Sequence, residues 1–134
     1  MRILITDDDR VCCQILEMHL GLLGECDLVG TGNEAVAAVE EAYRQGRPYG
    51  LLFLDILMPE GDGQQVLLQI RDLEERRGIR GLKGMKVVMT TSVDDRKQIM
   101  EAFRGQAEAY LMKPVEIRKL RQVLKDFAIL VKEV

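Results

Sequence analysis

Short apolar runs alternate along this chain with stretches whose apolar residues recur every three or four positions. The runs predict strands and the recurrences predict amphipathic helices. Ile3–Thr6 is a first strand, followed by a helix over about Arg10–Leu23 that Asp8 or Asp9 caps, with Gly24 just past its end. Cys26–Gly30 reads as a second strand. Thr31-Gly32-Asn33 then open a helix with Ala35, Val36, Val39 and Ala42 on one face, closed near Gly46. Leu51-Leu52-Phe53-Leu54-Asp55 has no polar interruption before its acid, as expected of a strand buried on both sides of a parallel sheet. After the breaker segment Pro59–Gly63, a third helix starts at Asp62 or Gly63. It carries Val66, Leu67, Ile70 and Leu73 and frays into 76–86. Met85–Thr90 is a fourth strand, and Asp94-Asp95 seed a helix bearing Ile99, Met100 and Phe103. Ala109–Met112 is a fifth strand, and Pro114 opens a last helix with Ile117, Leu120, Leu124, Phe127 and Val131 on one stripe.

Five strands alternating with five helices through short connections predict an α/β fold, a doubly wound five-stranded parallel sheet with helices on both faces. No repeat, low-complexity tract or linker interrupts the pattern, so residues 1–134 are expected to form a single domain with no output domain. Net charge of -3 draws the chain to neither nucleic acid nor anionic lipid. No apolar stretch approaches membrane-spanning length, and Met1–Asp7 is too short in its apolar core for a signal peptide. Cys12, Cys13 and Cys26 are odd in number and lack metal-ligand spacing, which suits reduced thiols in a cytoplasmic protein.

In such a sheet all strands end on one edge, where ligand sites form. The first strand ends in Asp7-Asp8, the third in Asp55, the fourth in Thr91-Ser92 and the fifth in Lys113. Two like charges roughly 4 Å apart at a dielectric of about 20 repel by about 4 kcal/mol. Domain stability is only about 5–15 kcal/mol, so a positive charge is expected among the acids, either Lys113 or a hard divalent cation. Mg²⁺ suits Asp7, Asp8 and Asp55 better than Ca²⁺, because it takes few carboxylates and keeps water and phosphoryl oxygens. Asp55 can then serve as nucleophile toward a phosphoryl group, with the Lys113 charge and the Thr91 hydroxyl on the transferring oxygens.

The strand-end motifs Ile3-Leu4-Ile5-Thr6-Asp7-Asp8, Leu54-Asp55-Ile56-Leu57-Met58-Pro59, Met89-Thr90-Thr91-Ser92 and Tyr110-Leu111-Met112-Lys113-Pro114 carry a resemblance that spans the chain. The chain resembles the receiver domain of two-component response regulators, in particular stand-alone chemotaxis-type members. The resemblance implies a flavodoxin-like (βα)5 fold with strand order 2-1-3-4-5. It implies that Asp55 accepts a phosphoryl group from a histidine kinase or histidine phosphotransfer protein. Asp8, Asp55 and the Leu57 carbonyl are then the direct Mg²⁺ ligands, with Mn²⁺ as a substitute, and Asp7 acts through water. Thr91 becomes the switch hydroxyl, Lys113 the phosphoryl clamp and Tyr110 the aromatic switch, and the Lys113–Pro114 bond is cis. The implied protein is a self-modifying signalling module rather than a turnover enzyme. Its face of fourth helix, fifth strand and fifth helix, about Asp94–Val134, would contact a downstream protein or a second copy.

Plainer readings stand beside these. Asp7 and Asp8 alone fit a helix cap. Thr90 rivals Thr91, although strand alternation turns it to the other face. Tyr110 fits a half-buried sheet aromatic, His19 fits surface packing on the first helix, and the methionines Met18, Met58, Met85, Met89, Met100 and Met112 fit core or rim packing. The basic run Arg76, Arg77, Arg80, Lys83 and Lys86 reads as a solvated loop or an acidic partner's docking patch. It has no aromatic to stack on bases. Leu57 and Val93 stand where the family often has polar residues, so slow hydrolysis of the phospho-form is expected. The enzyme alternative is a haloacid-dehalogenase-type phosphatase using Asp7, but only Glu116, Asp126 and Glu133 follow Lys113 as acids. A flavin site lacks its phosphate-cradling loop. A pseudo-receiver that never takes phosphate is the remaining alternative.

Overall fold

The computed structural model describes residues 1–58, 61–79, 84–92, 100–102, 104 and 106–127. The elements are β1 (Arg2–Thr6), α1 (Arg10–Leu20), β2 (Glu25–Val29), α2 (Gly32–Arg44), β3 (Leu51–Asp55), β4 (Leu57–Met58), β5 (Gly61–Asp62), α3 (Gly63–Arg76), β6 (Lys86–Thr91), β7 (Ala109–Met112) and a last helix, Ile117–Asp126. The main sheet is ordered β2-β1-β3-β6-β7 and every pair in it is parallel. With the small antiparallel ribbon β4–β5 set aside, that is the expected 2-1-3-4-5 order.

Alternation along the central strands divides the core. Leu52 and Leu54 of β3 pack with Ala35 and Val39 of α2 and with Val66, Leu67 and Ile70 of α3. Leu51 and Phe53 face the opposite side, among Cys13, Leu16 and Leu20 of α1 and Leu120 and Leu124 of the last helix. All five residues of β3 are buried, the burial its unbroken apolar run called for. Fully burying a side chain of this kind stabilises by about 1.5–3 kcal/mol relative to exposure. β3 is therefore the fixed post on which Asp55 stands.

The caps explain the helix starts. The Asp9 side chain accepts from the Val11 and Cys12 amides, Thr31 from Glu34 and Asp62 from Gln64. Three sequence expectations need correction. α1 ends at Leu20 rather than Leu23, and Leu22 lies exposed in the turn that leads back to β2. The last helix begins at Ile117, not Pro114, and Ile117 is exposed rather than on the buried stripe. Met18 and Met100 are also exposed, whereas Met85 and Met89 are core residues. The β4–β5 ribbon is a feature the breaker residues concealed. The helix expected from Asp94-Asp95 falls largely outside the described residues, as do Val93, Phe103, Val131 and residues 80–83 of the basic loop.

Candidate phosphoacceptor site

Four strand ends bring the expected residues together. Asp7 follows β1, with 3% of its surface exposed, and Asp55 closes β3 with 4% exposed. Asp8 is exposed beside them. One carboxylate oxygen from each of the three lies within 4.8 Å of the others. Lys113, just after β7, places its Nζ 2.7 Å from Asp7 Oδ2 and 2.9 Å from Asp55 Oδ2. The Lys113–Pro114 peptide bond is cis. Of the two compensating charges considered from the sequence, the ammonium is thus already in contact with two of the acids.

Backbone groups orient the carboxylates. The Asp9 amide donates to Asp7 Oδ1 at 2.9 Å, and the Leu57 amide donates to Asp55 Oδ1 at 3.2 Å. The Ile56 amide donates to the Thr90 carbonyl at 2.9 Å, tying the residue after Asp55 to the neighbouring strand. Burial raises the Asp55 carboxyl above its ordinary pKa, against the lowering effect of Lys113. Burial also works against the Lys113 ammonium, but the hydrogen bonds it donates to Asp7 and Asp55 outweigh it and hold that pKa above the usual lysine value.

A carboxyl whose folded pKa is raised contributes most below its unfolded pKa, and the contribution is lost as pH rises through the folded value. Without divalent metal, Asp55→Asn is therefore expected to be more stable than the wild type at neutral pH. The difference should shrink in acid. Urea titrations across pH check this, and a variant less stable at neutral pH would contradict it.

Thr91 is 2% exposed at the end of β6, and its carbonyl accepts from the Lys113 amide at 2.7 Å. Thr90 lines a cavity of about 50 Å³ with Asp7, Lys113 and Cys12, Ile15 and Leu16 of α1. The Thr90 hydroxyl has no hydrogen-bond partner among the described residues. Both threonines are buried, Thr90 on the α1 side. Tyr110 lies in β7 with 39% of its surface exposed. Leu57 is 54% exposed while its amide holds Asp55, and Val93 lies outside the described residues.

Two features were missed from the sequence. Val11, Ile15, Met18 and Leu22 form a second, exposed apolar stripe along α1 and its following turn. Their helical spacing was legible but was overshadowed by the buried stripe Cys13, Leu16 and Leu20. At the opposite edge of the sheet, Arg71 bonds Glu74 at 2.7 Å and Glu108 at 2.9 Å, while Glu74 accepts from the Met85 amide at 2.6 Å. That network anchors the end of α3 to the start of β6.

Paired acids, a lysine and a hydroxyl thus share the carboxyl edge of a flavodoxin-like sheet. Residues 3–125 match the response regulator receiver domain, and the chain belongs to that family. The two-component response regulator ARR10 of Arabidopsis thaliana is 33% identical over 92% of this chain, which covers 20% of that protein. Across the curated relatives compared, the chain spans from 7% to 20% of their length. A CheY-like receiver domain protein from Methanospirillum hungatei superposes with a TM-score of 0.74 at 28% identity, covering 93% of this chain and 90% of that one. The Saccharomyces cerevisiae receiver domain of Ssk1, solved with the phosphotransfer protein Ypd1, gives 0.79 at 25% identity over 98% of this chain and 93% of its counterpart. No helix among the described residues is long and apolar enough to cross a membrane.

Proposed function

We propose that Asp55 is the phosphoacceptor of a cytoplasmic receiver domain. The observation that carries this reading is the contact of Lys113 Nζ with both Asp55 and Asp7 at the strand ends. The Asp55 oxygen attacks phosphorus, the bond from phosphorus to the donor's histidine nitrogen breaks, and the nitrogen leaves with that electron pair. Lys113 neutralises charge on the phosphoryl oxygens, and Thr91 donates to one of them.

The donor set of Asp7, Asp8 and Asp55 is hard, anionic and clustered within 4.8 Å, which fits Mg²⁺. Asp8, Asp55 and the Leu57 carbonyl would hold it, Asp7 through water, with Mn²⁺ able to substitute. The ion's chemistry is charge neutralisation at the phosphoryl group. A beryllium trifluoride mimic supplied with Mg²⁺ is expected to bind the wild type and not Asp55→Asn. Equal binding to both by calorimetry would refute the assignment.

The partner is a histidine kinase or a histidine phosphotransfer protein, as for the yeast neighbour found with Ypd1. The exposed Val11, Ile15, Met18 and Leu22 offer it an apolar helix face that starts beside Asp8 and Asp9. Phosphorylation then moves Thr91 and turns Tyr110 inward, altering the β7 and last-helix face for a downstream protein or a second copy. Arg118, Lys119 and Lys125 are exposed on that helix and Arg121 is half-buried.

Leu57 is exposed beside Asp55, and we assign it, together with Val93 two positions after Thr91 in the sequence, to slowing hydrolysis of the phosphoryl group. Leu57→Asn combined with Val93→Glu should shorten the phosphoryl half-life several-fold, roughly 1 kcal/mol in barrier. A half-life unchanged or longer in a quench-flow decay would count against this role.

A further inference from the structure

We infer that Gly63 is a positioning residue for the metal-assisted phosphoacceptor, acting through the backbone of Asp55, Ile56 and Leu57. This inference rests on the reading of Asp55 and its metal site given above. A Cβ at Gly63 would overlap the Asp55 carbonyl oxygen, and it would lie 2.9 Å from Ile56 Cα and 3.0 Å from the Asp55 carbonyl carbon. All of these atoms are main chain, so no side chain can turn aside to relieve the contact. The Gly63 amide also donates to the Ile56 carbonyl at 2.8 Å, closing the chain back onto the residue that follows the acceptor.

Between those two points runs the ribbon in which Leu57 pairs with Asp62 and Met58 with Gly61. The ribbon fixes Leu57, whose amide binds Asp55 Oδ1 and whose carbonyl is an assigned metal ligand. On the far side of Gly63, α3 is held by the buried Val66, Leu67, Ile70 and Leu73, so it resists moving outward. On the near side, the Ile56 amide is held by Thr90. Any atom added at residue 63 therefore displaces the peptide that sets the direction of the Asp55 carboxylate and the Leu57 carbonyl. Groups that orient metal ligands from behind commonly change metal affinity about 10–100-fold when altered.

The test compares Gly63→Ala with Gly24→Ala, a control in which the added Cβ meets the Met1 carbonyl at the opposite edge of the sheet. Mg²⁺ affinity is measured by calorimetry well below the melting temperature, alongside the initial rate with acetyl phosphate. Both variants should melt lower than wild type. Only Gly63→Ala should weaken Mg²⁺ binding, by about tenfold or more. Wild-type affinity in Gly63→Ala would overturn the inference alone. A wild type that bound no Mg²⁺ and took no phosphoryl group would overturn the underlying reading, and the inference with it. If Gly63→Ala does not fold, amide NMR of the wild type decides. Mg²⁺ should shift the Leu57 and Gly63 signals together, and an unmoved Gly63 beside a shifted Leu57 would overturn the inference.

Discussion

Lys113→Ala is expected to lose about 3 kcal/mol of metal-free stability at neutral pH, the low end of what breaking a buried ion pair costs. The Asp7 and Asp55 side chains are 1% and 6% exposed, so without the ammonium two carboxylates face each other with little water to screen them. The pH dependence has a definite sign. Lys113 has a raised pKa in the fold, so its contribution holds through neutral pH and is lost on the alkaline side only in strong alkali. The deficit of the variant should shrink in acid, as the Asp55 carboxyl, whose pKa burial raises, takes up a proton. Mg²⁺ should raise the melting temperature of the wild type through linkage, and that of Lys113→Ala by more, because the cation then takes over the missing charge. Denaturant titrations with and without Mg²⁺ check both statements. A metal-free variant as stable as wild type near neutral pH, or one indifferent to Mg²⁺, would contradict the electrostatic account of the site.

Glu74→Ala is expected to cost more while leaving the chemistry intact. The Glu74 side chain is 4% exposed and joins Arg71 to the Met85 amide. Its loss takes one of two carboxylates from a guanidinium that is itself 12% exposed, leaving Glu108, and removes the acceptor of a buried amide. The expected destabilisation is about 3–5 kcal/mol, a fall in melting temperature of about 10–20 °C for a domain of this size. Since this network lies at the edge of the sheet opposite Asp55, Mg²⁺ affinity and phosphorylation rate at low temperature should match wild type. A melting temperature within about 2 °C of wild type would show that Arg71 finds adequate partners without Glu74.

These two positions also mark the limits of legibility in the sequence. Lys113 was visible because sheet topology makes strand ends comparable. Once five strands were assigned, Asp7, Asp8, Asp55, Thr91 and Lys113 had to share an edge, and the structure brings them there. Glu74 was invisible because a charged residue on a helix reads as solvated, and nothing local reveals that Arg71 and Glu108, far apart along the chain, converge on the same corner. Helix ends misled for a related reason. Leu22 and Leu23 continue an apolar run, yet the chain must already be turning toward β2, so Leu22 is left exposed. The ribbon after Asp55 pairs Leu57 with Asp62 and Met58 with Gly61, a closure that the breaker residues between them do not announce.

The most direct test of the central claim is intact-mass spectrometry after phosphotransfer from acetyl phosphate and from a phosphorylated histidine phosphotransfer protein, with Mg²⁺ present. Wild type, Asp55→Asn and Asp7→Asn are compared, and the modified peptide is mapped. The account predicts one Mg²⁺-dependent phosphoryl group on wild type, located at Asp55, and none on Asp55→Asn. Asp7→Asn should be slowed but still modified at Asp55. Phosphorylation that survives in Asp55→Asn and disappears in Asp7→Asn would contradict it and favour a dehalogenase-type nucleophile at Asp7.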